Sequence, residues 1–112
     1  MIDYKERLKE IKNYQDDDII NPNDIVIKYV EFLLFEYLIP ANIHPSRITP
    51  VGDGGMCLVF KNISLEMYME FYNDGEKGFI VRDNENNQSI ENKDLYNMYD
   101  IMKHLEWFYK LI

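Results

Sequence analysis

The chain has 112 residues, a mass of 13.5 kDa and 20 acidic against 12 basic side chains, for a formal charge of -8. One domain over residues 1–112 is expected, because single domains most often run to about 100–150 residues. An apolar fraction of 46% is too high for a disordered acidic tail, and so few Lys and Arg exclude a surface that neutralises phosphates, so no direct nucleic-acid contact is expected.

Tyr4, Leu8 and Ile11 fall on one side of residues 3–14 and predict a first amphipathic helix. The run Asp16-Asp17-Asp18 ends it, since adjacent like charges repel and aspartate is a poor helix former. In Asn21-Pro22-Asn23-Asp24, Asn21 suits a cap, Pro22 the first helical position and Asp24 the positive dipole end, so a second helix starts there. From Ile25 to Ile39 only Lys28, Glu31 and Glu36 interrupt an apolar run of 15 residues. A bilayer needs roughly 18–20, so this predicts a core or interface helix and no membrane contact.

Pro40, Pro45 and Pro50 predict an extended connector that ends in the turn Gly52-Asp53-Gly54-Gly55. Met56, Leu58 and Phe60 then alternate with Cys57, Val59 and Lys61. Ile63, Leu65, Met67, Met69 and Phe71 alternate with Ser64, Glu66, Tyr68, Glu70 and Tyr72. A period of two means strands. Asn73-Asp74-Gly75 suits a hairpin turn, Gly78–Arg82 gives a third strand, and Asp83–Asn87 another turn. From Asp94 to Ile112, Leu95, Met98, Met102, Leu105, Tyr109 and Ile112 recur at helical spacing. The expected fold is α+β: two N-terminal helices, a three-stranded antiparallel meander over about residues 56–82 and a long C-terminal helix packed on the sheet. Leu58, Phe60, Leu65, Met67, Met69, Leu105 and Phe108 form the expected core.

Ile48-Thr49-Pro50, Asp53 with Gly54-Gly55, Leu58, Phe60, Ile63–Met67 and Asp74-Gly75 carry a resemblance. Over residues 48–81 the chain resembles small, mostly uncharacterised bacterial proteins with a P-T-P-[DE]-G-G turn, a strand ending in Trp or Phe and a second strand of the form [VI]-x-[LF]-E-[IV]. Here Gly52 is inserted in the turn, and Phe60 stands where Trp is usual. The resemblance implies an accessory or antitoxin-like protein of mobile and defence-type gene clusters, of bacterial or phage origin.

Chemistry-bearing residues are sparse. Cys57 is the only cysteine, and with no signal-peptide run in MIDYKERLKEIKNY a reducing, cytoplasmic setting is expected. Cys57, His44 and His104 have no ligand-spaced partners, and Cys57 alternating in a strand reads as a small core residue instead of a nucleophile served by His104. Asp16–Asp18 lacks the alternating ligands, turn glycine and closing glutamate of a calcium loop. The Gly52–Gly55 turn lacks the Lys and Ser/Thr of a phosphate loop. No catalytic residue, metal or cofactor is therefore expected.

Glu66, Tyr68, Glu70 and Tyr72 share one strand face, extended by Asp74 and Glu76 at the following turn. A solvated sheet face is the plain reading of such a row, since antiparallel sheets often leave one side wet. Tyrosine supplies recognition area and carboxylates select cations, so the same row is the candidate partner-binding surface. The expected function is that of a small acidic interaction protein without enzymatic activity. It would neutralise or regulate a basic protein partner such as a nuclease or toxin, as an antitoxin, an immunity protein or a phage inhibitor of a defence nuclease. The alternative is an assembly subunit that forms a homodimer or larger homo-oligomer.

Overall fold

In the computed structural model, which describes residues 3–111, the first helix α1 spans Tyr4–Asn13 and buries Leu8 and Ile11. Its Asp3 cap accepts from the Glu6 N–H at 3.1 Å. The second helix α2, Asp24–Phe32, is capped later than expected, by Asn23, whose side chain accepts from Val26 N–H at 2.9 Å. Asn21 instead closes the acidic loop, accepting from Asp16 N–H and donating to the Asp16 carbonyl. The chain continues as a π-helical segment, Leu33–Leu38. Val26, Ile27, Val30, Leu33, Leu34 and Leu38 are buried, while Ile25 and Phe32 remain 76% and 50% exposed. The apolar run therefore packs by one face instead of all round.

The sheet has five strands in sequential antiparallel order, where alternation predicts only the middle three. These are β1 (Arg47–Val51), β2 (Gly55–Asn62), β3 (Leu65–Tyr72), β4 (Lys77–Asp83) and β5 (Gln88–Leu95). β1 lies in the expected proline connector, and β5 lies beyond the expected third strand and takes in the expected helix start. Ile63 is not a strand residue: it sits in the β2–β3 turn with φ 56° and 79% exposure. The C-terminal helix α3 is shorter than expected, Met98–Tyr109, with Asn97 accepting from Asp100 N–H at 3.0 Å. Asp94 and Leu95 belong to β5, and Ile112 lies outside the described residues.

Register places Ile48, Leu58, Met69 and Phe79 across one another on one face, and Thr49, Cys57, Glu70 and Gly78 on the other. The first face joins Leu8, Val30, Leu33, Ile101, Leu105 and Phe108 of the helices in one cluster. All seven residues expected in the core are buried in it. Burial of this apolar area is the main drive to fold, at roughly 25 cal/mol per Å². Among the described residues the helices bury their apolar sides on the first face, and the second is the outer face of the sheet.

Candidate functional site

The outer face of β3 carries the expected row Glu66, Tyr68, Glu70 and Tyr72, but its members differ in environment. Glu66 is 8% exposed and cannot steer a partner. Strand pairing sets it between Lys61 and Arg82, and its carboxylate accepts from Tyr68 Oη at 3.1 Å and from Asn84 Nδ2. Arg47 Nη2, from β1, lies 3.5 Å away. Burial alone would raise the Glu66 pKa, but the hydrogen bonds from Asn84 and Tyr68 and the Lys61 and Arg47 charges outweigh it and hold the carboxyl below its ordinary value. Glu66 is a clamp joining β1, β3 and the β4–β5 turn.

A carboxylate whose folded pKa is depressed stabilises the fold above its unfolded pKa of about 4.3 and loses that contribution as pH falls through the folded value. Glu66→Gln is expected to cost about 1–2 kcal/mol at pH 7, because a charged hydrogen-bond partner is removed from a buried position. The difference between variant and wild type should shrink below about pH 4, as read from urea midpoints across pH. A constant difference down to about pH 3 would remove the clamp.

Tyr68, Glu70 and Tyr72 are half-buried, and Asp74 and Glu76 are exposed. Tyr72 Oη donates to Glu70 Oε2 at 2.6 Å, and that bond, with burial, raises the tyrosine pKa. The bond fixes the ring against the strand. Across the sheet Glu70 pairs with Gly78, and Gly78 with Asp94 of β5. With no side chain at Gly78, the row opens into a groove of about 820 Å³ walled by Glu70, Tyr72, Ile80, Asn92, Asp94 and Tyr96. Among the described residues, Glu70, Asp74, Glu76 and Asp94 have no ion-pair partner. Asp94, Asn92 and Tyr96 are absent from the sequence expectation because β5 has no apolar alternation to reveal it.

The β3–β4 turn is held by Asn73. Its Oδ1 accepts from Asn23 N–H at 2.9 Å, its Nδ2 donates to the Asn21 carbonyl at 3.0 Å, and its own N–H donates to the Gly54 carbonyl at 2.8 Å. One residue therefore ties the α2 cap to the rim that presents Asp74 and Glu76.

The other titratable groups do not converge. Cys57 lies on the outer face, and His104 packs on Phe79 on the helix side, its ring centroid 4.9 Å away. Burial, then the nearby Glu70 charge, pushes the Cys57 thiol up to about 12, far from thiolate chemistry at neutral pH. His44 stands apart, within 3.0 Å of Asn42 Oδ1. Among the described residues no three His, Cys, Asp or Glu side chains are grouped to hold a metal, and no helix is long and apolar enough to cross a membrane. The chain matches no family model, no curated protein and no solved structure. What the geometry offers is an outer sheet face on which Val59, Cys57 and Glu66 are buried, and half-buried and exposed carboxylates and tyrosines surround a side-chain-free notch.

Proposed function

We propose that this chain is a non-enzymatic interaction protein that docks on a basic protein surface through its outer sheet face, with the Gly78 groove at the centre of contact. It would neutralise or regulate a toxin or nuclease, as an antitoxin, an immunity protein or a phage inhibitor does, in a cytoplasmic setting. The observation that carries this reading is the set of carboxylates at the groove, Glu70, Asp74, Glu76 and Asp94, which have no cation partner among the described residues. A net charge of -8 steers Lys- and Arg-lined surfaces toward the molecule, and Tyr72 and Tyr96 supply area to desolvate after encounter. Tyr68 extends the face, whereas Glu66 supports it from within.

The test is affinity capture from host lysate with the intact chain, followed by binding kinetics of variants. Charge acts mainly on association and aromatic burial on dissociation. Glu70→Lys combined with Asp94→Lys is therefore expected to slow association roughly tenfold, and Tyr72→Ala to shorten the lifetime of the complex. Affinity should fall as salt rises. Lys9→Glu, on the exposed side of α1, should change neither rate more than a neutral control. A captured partner indifferent to all the groove substitutions would place contact elsewhere, with the Asp16–Asp18 loop next in order.

A further inference from the structure

The two edges of the sheet are treated differently. On β1, Arg7 Nε donates to the Ile48 carbonyl at 2.8 Å, Pro50 has no N–H to offer, and Ile20 N–H donates to the Gly52 carbonyl at 3.0 Å beside the Ile20–Asp53 bridge. That edge is closed. At the other edge β5 runs eight residues without proline, with a break in register opposite Val81 and Arg82 that leaves Ile90 without a β4 partner and Glu91–Leu95 as its regular stretch. Among the described residues its Asn92 N–H donates to the side chain of its neighbour Glu91, at 3.3 Å, and just past the strand Tyr96 N–H donates to Asp100 Oδ2 at 3.2 Å. Outward backbone groups left open on an edge strand are a template for another strand.

We infer that β5 is the docking edge for a second copy of this chain, paired antiparallel about a two-fold axis at Asn92. An antiparallel ladder requires outward-facing backbone groups to meet outward-facing ones, so residues of like parity stand opposite. Registers centred on Glu91 or Lys93 set that charge against its own copy. Centring on Asn92 sets Glu91 of each copy opposite Lys93 of the other. Within the regular stretch Glu91–Leu95 it brings no like charges together. Glu91 and Lys93 pair in their own sheet with Val81 and Phe79, so both lie on the helix side of the sheet. Neither has an ion-pair partner among the described residues. Opposite charges directly across a ladder stabilise it and like charges oppose it, and a two-fold axis makes each favourable pair occur twice. The result is one sheet continuous through two copies. Dimerisation of this kind uses the strand edge and is read on the chain alone, without a partner, although Asn92 and Asp94 also wall the groove.

The register makes the test specific. Sedimentation of the full chain up to about 1 mM is expected to show a dimer. Glu91→Lys alone places two Lys–Lys pairs across the axis, and Lys93→Glu alone two Glu–Glu pairs, so each variant should dimerise at least about tenfold more weakly. Mixing the two variants sets the two lysines of one copy opposite the two glutamates of the other, so the mixture should recover the dimer, as should the chain carrying both substitutions. Asn92→Pro, which removes an outward N–H without touching the β4 ladder, should be monomeric. Circular dichroism identical to wild type separates these effects from misfolding. A wild-type chain that stays monomeric throughout, a dimer indifferent to the single reversals, or reversals that mixing does not rescue would each overturn the proposal.

Discussion

Gly55→Ala is expected to cost about 3 kcal/mol, the upper end of what overpacking a well-fitted site costs. Gly55 opens β2 and pairs with both Val51 and Tyr72, so strands flank it on two sides. A Cβ built there would lie 2.3 Å from the Phe71 carbonyl oxygen and 3.1 Å from Tyr72 Cα, both backbone atoms that no side-chain rotation can move. Relief requires β2 and β3 to part at the end that carries Tyr72 and Asn73. Gly52→Ala, three residues earlier, is the control: its Cβ would meet only Ile19 Cγ2, at an ordinary 3.6 Å, and the change should stay within about 0.5 kcal/mol. Urea midpoints of the two variants decide the matter. Equal midpoints would show that the close approach at Gly55 is not a constraint of the fold.

The contrast between Gly52 and Gly55 illustrates what a one-dimensional pattern reveals. Both read as turn glycines, and only the pairing of β2 with β3 shows that one is required and the other is not. Alternation exposes β2, β3 and β4 because one face of each meets the helices, which forces a period of two on residues such as Leu58, Met67 and Phe79. In β5 only Leu95 is buried, so Gln-Ser-Ile-Glu-Asn-Lys-Asp-Leu has no alternation to read. Pro50 argues against a strand, yet at an edge its missing N–H costs no ladder bond. The candidate face follows the same logic. The side of β3 bearing Glu66, Tyr68, Glu70 and Tyr72 follows from strand geometry alone. The burial of Glu66 does not, because it depends on Arg47 and Asn84, 19 residues before and 18 after it in the chain. The groove is invisible for the same reason: it needs Asp94 and Tyr96 beside Gly78, and that adjacency belongs to a strand without a local signature.

Phe60→Ala and Ile63→Gly are expected to move stability in opposite directions, although both remove an apolar side chain within three residues of each other. Phe60 is fully buried, in register with Met67 of the central strand, itself fully buried. Truncating it forfeits the transfer free energy of a phenyl ring and leaves a cavity the surrounding strands cannot close, at about 3–5 kcal/mol. Domains of this size hold only about 5–15 kcal/mol in total, so the variant should be close to unfolding in mild denaturant. Ile63 is 79% exposed and held at φ 56°, a left-handed conformation that costs a β-branched residue about 1–2 kcal/mol. Glycine adopts it freely. It gives back part of that gain through its more flexible unfolded chain, so a net stabilisation of about 1 kcal/mol is expected. Denaturation of both variants by urea, with the slope checked for constancy, measures the pair. A destabilised Ile63→Gly would mean that its side chain packs on the surface after all, and a Phe60→Ala within about 1 kcal/mol of wild type would remove the core on which the outer face is mounted.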